Sequence, residues 1–283
     1  MHTAQFYVGI GAQKAGTTWL GHYLHEHPQV AASPFKELHY FDAKYRPGMC
    51  GEWNGYWRET LTDLTTRYAA EPSEGLLLRM RCAELRLEMT DKPERYKQYF
   101  AALIEESTRA FGEITPSYSL LPPAGFEEII SHYPRARFIF VARDPVDRFL
   151  SQVRFNCKQR NIQLRDAVEA DSLALSFLKN PHFSRRSDYR TTLTNLYRVV
   201  PQEQVRVMFF EHVFNTETNA EEMRGLCDFL QIDYVPARLA ERLNSTEAVD
   251  YSSEVIRQVR SAAQPVYDYM RETFGDQVPA VWR

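Results

Sequence analysis

The sequence has few cysteines and no long hydrophobic run. Its 283 residues include 4 cysteines, none of which forms a CxxC pair: Cys50, Cys82, Cys157 and Cys227. This scatter gives no zinc-site spacing and favours a reducing compartment, so we expect a cytoplasmic protein without a metal site. The early apolar run from Phe6 to Ile10 is too short for a membrane span or a signal-peptide core. We therefore expect no integral membrane segment.

The sequence also lacks an excess of charge of either sign. It has 37 acidic and 34 basic residues, for a formal charge of −3. Proteins that bind nucleic acid or another bulk polyanion usually carry a strong basic excess, so we expect no nucleic-acid partner. Lysine is scarce and most basic residues are arginine, a side chain suited to bidentate anion recognition. A small basic pocket remains compatible with this balance.

Apolar and β-rich runs alternate along the chain with helical patterns. Five runs predict strands, at residues 5–10, 29–32, 109–114, 137–142 and 204–210. The remaining periodic segments predict helices, at 17–27, 53–66, 93–106, 124–133, 145–157, 164–178, 187–200, 218–230 and 253–274. The alternation predicts an α/β fold of three layers, with a mainly parallel central sheet of about five strands flanked by helices. With no evident linker, we expect one domain over 1–283, with a helical insertion at about 44–108.

The strongest local motif lies between the first strand and the first helix, from Gly11 to Trp19. Two glycines let the backbone bend so that successive amides face an anion, and the helix start adds partial positive charge. A nucleotide-triphosphate loop reads GxxxxGK[ST], with lysine directly after the second glycine. Here Thr17 holds that place and the lysine is Lys14, inside the loop. The positive charge therefore sits towards the 5′ portion of a bound phosphate chain.

A second motif follows the strand at 137–142 and runs from Arg143 to Ser151. Pro145 suits the first turn of a helix, which places Arg143 at the carboxyl edge of the sheet, where ligands bind in such folds. Ser151 lies about two helical turns further on. Together with the first loop, this spacing indicates a site that recognises two phosphate groups.

These two motifs resemble those of the sulfotransferases that use 3′-phosphoadenosine 5′-phosphosulfate (PAPS), which have a P-loop NTPase-like fold. The resemblance implies that the first loop binds the 5′-phosphosulfate, and that Arg143 and Ser151 bind the 3′-phosphate. Trp19 matches the tryptophan that stacks on adenine in cytosolic members, although ordinary helix packing explains it equally well. The loop residues assigned to the donor are Gln13, Lys14, Ala15, Gly16, Thr17, Thr18 and Trp19.

Two further stretches, Lys36 to Asp42 and Gly112 to Tyr118, are similar to segments of bacterial and heparan-sulfate-type sulfotransferases. The resemblance implies that Glu37 is the general base and that Lys14 stabilises the leaving phosphate. His39 is the alternative base, because cytosolic members use a histidine. If the stretch is extended, Glu37 and His39 share one face. The alternative without a catalytic role is that Glu37 forms a surface ion pair with Lys36 or Lys44.

The sequence departs from the heparan-type pattern at two places. Ile114 stands where those enzymes often have lysine, which favours the bacterial branch. The glycine-rich loop that closes over the nucleotide in several members has no clear match, and residues 244–246 occupy its approximate place. The resemblance is weakest over 44–108.

The acceptor is predicted only by class. We expect a carbohydrate or glycolipid hydroxyl, or an amine, with a phenol or small alcohol and a His39 base as the alternative. Aromatic residues of the insertion are candidates for stacking on an acceptor: Trp53, Tyr56 and Trp57. Several arginines could bind an anionic glycan, or could simply lie on solvated faces or in intramolecular pairs: Arg79, Arg81, Arg185, Arg186 and Arg190.

Two other function classes compete with a sulfotransferase. A nucleotide kinase or NTPase needs magnesium and a lysine after Gly16, which the sequence lacks. A nucleotide-binding module without catalysis would keep Lys14 and Arg143 but tolerate the loss of Glu37.

Overall fold

The computed structural model describes residues 4–45, 50–162, 166–239 and 249–282. Five strands form one sheet: β1 (Gln5–Gly11), β2 (Val30–Ala32), β3 (Ala110–Ile114), β4 (Arg137–Ala142) and β5 (Val205–Phe209). Their order is β2-β3-β1-β4-β5, and every neighbouring pair is parallel. The sheet order confirms the predicted α/β class with a parallel sheet. All five carboxyl ends therefore meet at one edge, where ligands bind in such sheets.

Helices cover both faces of the sheet. In chain order they are α1 (Thr17–Glu26), α2 (Phe41–Tyr45), α3 (Cys50–Ala70), α4 (Glu74–Glu88), α5 (Arg95–Ala101), α6 (Pro123–His132), α7 (Pro145–Gln159), α8 (Ala167–Leu178), α9 (Pro181–Ser184), α10 (Tyr189–Tyr197), α11 (Phe210–Val213), α12 (Asn219–Leu230) and α13 (Ser253–Phe274). On one face, Phe6 of β1 packs against Phe100 of α5 and Tyr133, which follows α6. On the other face, α1 lies against β2 and β3.

The insertion folds as a helical unit against the segment that follows β2, where the Tyr99 hydroxyl lies 2.7 Å from Ser33 Oγ and the Trp57 ring contacts Phe35. Helices α3 and α4 pack against each other, and α4 packs against α5. The predicted helix 53–66 is longer, at 50–70, while the predicted helix 93–106 ends at Ala101. Helix α4 was not predicted as a separate element, because its apolar residues do not form one buried stripe: Leu77 and Leu78 are exposed.

Helix α7 begins where the sequence predicts and is capped at its start. The Asp144 carboxylate accepts hydrogen bonds from the backbone N–H groups of Val146 (2.9 Å) and Asp147 (3.1 Å), and Pro145 occupies the first turn. Tyr267 of α13 donates its hydroxyl to the other Asp144 oxygen at 2.8 Å. Arg143 is therefore held directly between the end of β4 and a fixed helix start.

Candidate active site

The loop between β1 and α1 makes a tight turn that requires glycine at position 16. Gly16 has φ +78°, and a Cβ atom added there would lie 2.4 Å from the ring of Phe214. Lys14 also has a positive φ, of 70°. Left-handed backbone favours glycine, and the close ring leaves no room for a side chain. The turn directs the start of α1 towards the open edge of the sheet.

Lys14 lies among other cations and makes no ion pair with any residue in the described ranges. Its Nζ atom lies 4.1 Å from the centroid of the Phe155 ring. Burial, together with the charges of nearby cations, lowers the Lys14 pKa to about 8; these cations are Lys36, Arg143, Arg154 and Arg148. A partly buried ammonium with cationic neighbours is stabilised by a bound anion.

The structure brings Arg143 to the same loop, as the two motifs predict. Its Nη1 donates to the Lys14 carbonyl oxygen at 3.0 Å, and its guanidinium lies 4.6 Å from the Phe210 ring centroid. Tyr189 donates its hydroxyl to the Arg143 carbonyl oxygen at 2.8 Å. Burial lowers the Arg143 pKa. Ser151 is buried on α7, two turns beyond.

Arg148 belongs to this cationic group, although the sequence analysis gave it no role. Its side chain is 0% exposed; its Nε donates to Ser187 Oγ at 2.6 Å and its Nη1 to the Gln13 carbonyl oxygen at 3.3 Å. Its Nη2 atom is buried without a partner, and it forms no ion pair with a carboxylate in the described part of the chain. Burial lowers its pKa to about 10. A signal was present in the sequence, since Arg148 lies inside the motif that runs from Arg143 to Ser151.

The other loop residues differ in their exposure. Ala15 and Thr17 are buried, Thr18 is half-buried, and Gln13 presents its carbonyl oxygen to Arg148. Trp19 is 6% exposed, and its indole N–H donates to the Arg238 carbonyl oxygen at 3.0 Å. This geometry favours the packing interpretation of Trp19, and its contact with adenine stays a prediction.

Glu37 and His39 lie close together, but not for the reason expected. The stretch is not extended: Glu37 has φ 67° and His39 has φ 50°. This left-handed turn places His39 Nε2 3.3 Å from Glu37 Oε2. Lys36 donates to Glu37 Oε1 at 2.6 Å, as the surface-pairing interpretation proposed, while Lys44 pairs with Glu128 instead.

Asp42 holds the other side of the His39 ring. Its Oδ2 lies 2.8 Å from His39 Nδ1 and accepts a hydrogen bond from Ser117 Oγ at 2.6 Å. Burial opposes charge on His39, but hydrogen bonds to Asp42 and Glu37 outweigh it and raise the His39 pKa. Burial also opposes charge on Glu37, yet the same His39 contact and Lys36 lower the Glu37 pKa to about 2. Glu37 is thus a carboxylate at neutral pH and His39 is stabilised as an imidazolium.

A cavity of about 230 Å³ opens next to the loop and Lys36, between α1 and the ends of β2 and β3. Apolar walls come from Tyr7, Phe35 and Ile114, and polar groups from Thr18 and Lys36. The volume lies below the range of about 300–1,000 Å³ for sites that enclose a drug-sized ligand. It suits one ring-sized group.

Three further expectations concern metals, membranes and the residues at 244–246. The described residues include no group of three or more His, Cys, Asp or Glu side chains arranged to hold a metal ion. Across the described ranges, no helix combines the length and apolar character that a membrane span requires. Residues 244–246 lie outside the described residues.

The sheet order defines the class: an α/β protein with a parallel five-stranded sheet, whose carboxyl edge carries the two cationic segments. The sequence profile described as "Sulfotransferase family" matches residues 8–236. The chain therefore belongs to the sulfotransferase family.

Two relatives illustrate this membership. The "Membrane-associated sulfotransferase kil1" of Dictyostelium discoideum is 29% identical over 150 residues, which are 53% of this chain but only 22% of that protein. The crystal structure of a sulfotransferase from Alicyclobacillus acidocaldarius superposes with a TM-score of 0.64 at 19% identity, covering 99% of this chain and 98% of that one. The second likeness shows a shared fold.

Proposed function

We propose that this sulfotransferase transfers the sulfuryl group of PAPS to a hydroxyl, or an amine, of an acceptor. For a hydroxyl acceptor, the S–O bond to the 5′-phosphate breaks, an S–O bond to the acceptor oxygen forms, and the acceptor proton passes to Glu37. The nucleotide product is 3′,5′-adenosine bisphosphate. Catalysis then rests on positioning and on stabilisation of the negative charge that develops on the leaving phosphate.

One observation carries the donor assignment: Lys14 and Arg143 lie together at the sheet edge as cations without a carboxylate partner in the described ranges. We assign the 5′-phosphosulfate to the Gln13–Thr18 loop with Lys14 as the charge stabiliser, and the 3′-phosphate to Arg143 and Ser151. Arg148 adds positive charge from beneath the loop without touching the ligand. In this scheme Lys14 supplies the stabilisation that a magnesium ion supplies in phosphate-transfer enzymes.

The base is Glu37 rather than His39. Both ring nitrogens of His39 face carboxylates, at 2.8 Å from Asp42 and 3.3 Å from Glu37, so neither lone pair is available to an acceptor. Glu37 is ionised, and within the described ranges its carboxylate pairs with Lys36 and His39. A base must first lie within reach of the proton, and then carry a free acceptor atom. Displacement of the Lys36 ammonium by the acceptor would free Glu37 Oε1 for this role.

The acceptor class proposed is a carbohydrate or glycolipid hydroxyl, with a phenol or small alcohol as the alternative. The ring-sized cavity beside Lys36 is lined by both apolar and polar side chains, which suits either a sugar or a phenol. Trp57 is buried in the core and cannot stack on an acceptor, whereas Tyr56 is 50% exposed. Trp53 stacks on His39 instead.

A kinase or NTPase is less well supported. Such an enzyme needs a carboxylate at a strand end to hold magnesium, and Asp144 is the candidate after β4. Its oxygens already accept from two backbone N–H groups and from Tyr267. A binding module without catalysis would not need the Asp42–His39–Glu37 arrangement.

We also propose that residues 1–283 form a single sulfotransferase domain. The family match over 8–236 and the shared fold across 99% of the chain support this division. A cytoplasmic location stays a prediction; the three described cysteines, Cys82, Cys157 and Cys227, are free and buried.

Glu37→Gln tests the assignment of the base. The variant keeps the shape of the side chain but cannot take a proton, so we expect sulfation to fall by about 100-fold or more, in line with general-base contributions. Binding of 3′,5′-adenosine bisphosphate should change less than threefold. Glu26→Gln, at an exposed position of α1, is the matched control. Unchanged turnover in Glu37→Gln, together with its loss in His39→Ala, would move the role of base to His39.

A further inference from the structure

The insertion contacts the turn at Glu37–His39 from two of its helices. Arg86 of α4 is 1% exposed; its Nε donates to the Leu38 carbonyl oxygen at 2.6 Å and its Nη2 to the His39 carbonyl oxygen at 2.7 Å. Trp53 of α3 stacks on the His39 imidazole, with 3.5 Å between ring centroids and 12° between the planes. The segment with the weakest family resemblance therefore touches the residues assigned to proton transfer.

The turn that Arg86 contacts has an unfavourable backbone conformation. Glu37 and His39 both have φ in the left-handed region, which residues with a Cβ adopt only when surrounding contacts hold them there. On the sheet side, Glu37 N donates to the Ile114 carbonyl oxygen at 3.1 Å and Leu38 N donates to Thr115 Oγ1 at 3.0 Å. On the opposite side, Arg86 holds the carbonyl oxygens. The turn is thus fixed between β3 and α4.

Core packing alone does not explain an arginine at position 86. The guanidinium is buried, and in the described ranges it forms no ion pair with a carboxylate. A buried charge opposes folding, and an apolar side chain of similar size often packs as well. Arg86 bonds to main-chain oxygens of the turn. The side chains of Glu37, His39 and Asp42 therefore remain paired with one another.

We propose that Arg86 and Trp53 are positioning residues for the sulfuryl-transfer reaction, holding the Glu37–His39 turn so that the Glu37 carboxylate faces the acceptor. Trp53 fixes the plane of the His39 ring, and that plane determines the 3.3 Å contact between His39 Nε2 and Glu37 Oε2. The inference rests on the proposed function, in which Glu37 takes the acceptor proton. In this proposal the insertion contributes to catalysis, because its helices α3 and α4 hold the turn that carries Glu37.

Arg86→Met tests this role because it removes both donors while keeping most of the side-chain length. Arg67→Met, at an exposed position of the neighbouring helix α3, is the control. We expect kcat per 3′,5′-adenosine bisphosphate binding site to fall at least tenfold, with the KM for the donor and the Kd of the bisphosphate changed less than twofold. The control should stay within twofold of wild type. A purely structural arginine would lower the melting temperature and the number of binding sites but leave kcat per site unchanged, and that result would overturn the proposal.

Trp53 variants keep the test decisive if Arg86→Met does not fold. Trp53→Leu should lower kcat per site three- to tenfold, and Trp53→Phe, which retains a stacking ring, should recover most of the loss. Trp53→Leu with wild-type kcat per site would refute the positioning role. A wild-type protein that neither binds the bisphosphate nor sulfates any acceptor would instead refute the proposed function itself.

Discussion

Replacing Arg148 by methionine should weaken anion binding while leaving folding stability nearly unchanged. Burial lowers the pKa of this guanidinium from its ordinary value to about 10. At 1.36 kcal/mol per pKa unit, this corresponds to about 3 kcal/mol against the charged form. The hydrogen bonds that Arg148 donates to Ser187 Oγ (2.6 Å) and Gln13 O (3.3 Å) stabilise the charged form. A hydrogen bond of good geometry to a charged group contributes about 1.5–3 kcal/mol. We therefore expect the free energy of unfolding to change by no more than about 2 kcal/mol.

The effect on binding comes from the loss of the positive charge. If the bound phosphate lies about 8 Å from the guanidinium, the charge contributes about 2 kcal/mol at an effective dielectric constant of 20, which is roughly a thirtyfold change in affinity. Calorimetric titration with 3′,5′-adenosine bisphosphate measures the Kd, and urea unfolding measures the stability. Arg160→Met, at an exposed position just after α7, is the control. An Arg148→Met protein that binds the bisphosphate as tightly as wild type would refute the argument that Arg148 belongs to the anion site.

Two further predictions follow from pKa values in the site. The raised His39 pKa means that its charged contacts add stability below a pH of about 6.5, and that this stability is lost as pH rises through the folded-state pKa. Asp42→Asn should therefore destabilise the protein more at pH 6 than at pH 9 in urea unfolding, and an equal loss at both would contradict this. The Lys14 pKa of about 8 should rise when an anion binds, so binding at pH 8.5 should take up part of a proton. Calorimetry in buffers of different ionisation enthalpy measures that uptake, which Lys14→Met should abolish.

The sheet and the loop between β1 and α1 could be predicted because local sequence determines them. The strand Arg137–Ala142 is an almost continuous apolar run, and Pro145 marks the start of α7, so both boundaries match the structure. Parallel strands then bring Lys14 and Arg143 to one edge without further information.

The conformation around Glu37 and the residues that support it could not be predicted in the same way. Glu37 and His39 meet through two left-handed residues, and nothing in the pattern of residues 36–42 indicates such a turn. Arg86 and Arg148 are buried, although arginine is rarely buried without a charged partner. Their roles depend on contacts between segments distant in sequence, 47 residues for Arg86 with His39 and 135 for Arg148 with Gln13. Only the folded chain brings these pairs together.

We propose above all that Lys14 and Arg143 bind an adenosine nucleotide with phosphates at both its 3′ and 5′ positions, without a metal ion. The most direct test of this proposal is calorimetric titration of the wild-type protein with 3′,5′-adenosine bisphosphate in the presence of a metal chelator, beside ATP with and without magnesium. We expect the bisphosphate to bind with the chelator present, at least 100-fold more tightly than ATP. Magnesium-dependent binding of ATP that exceeds binding of the bisphosphate would contradict the account.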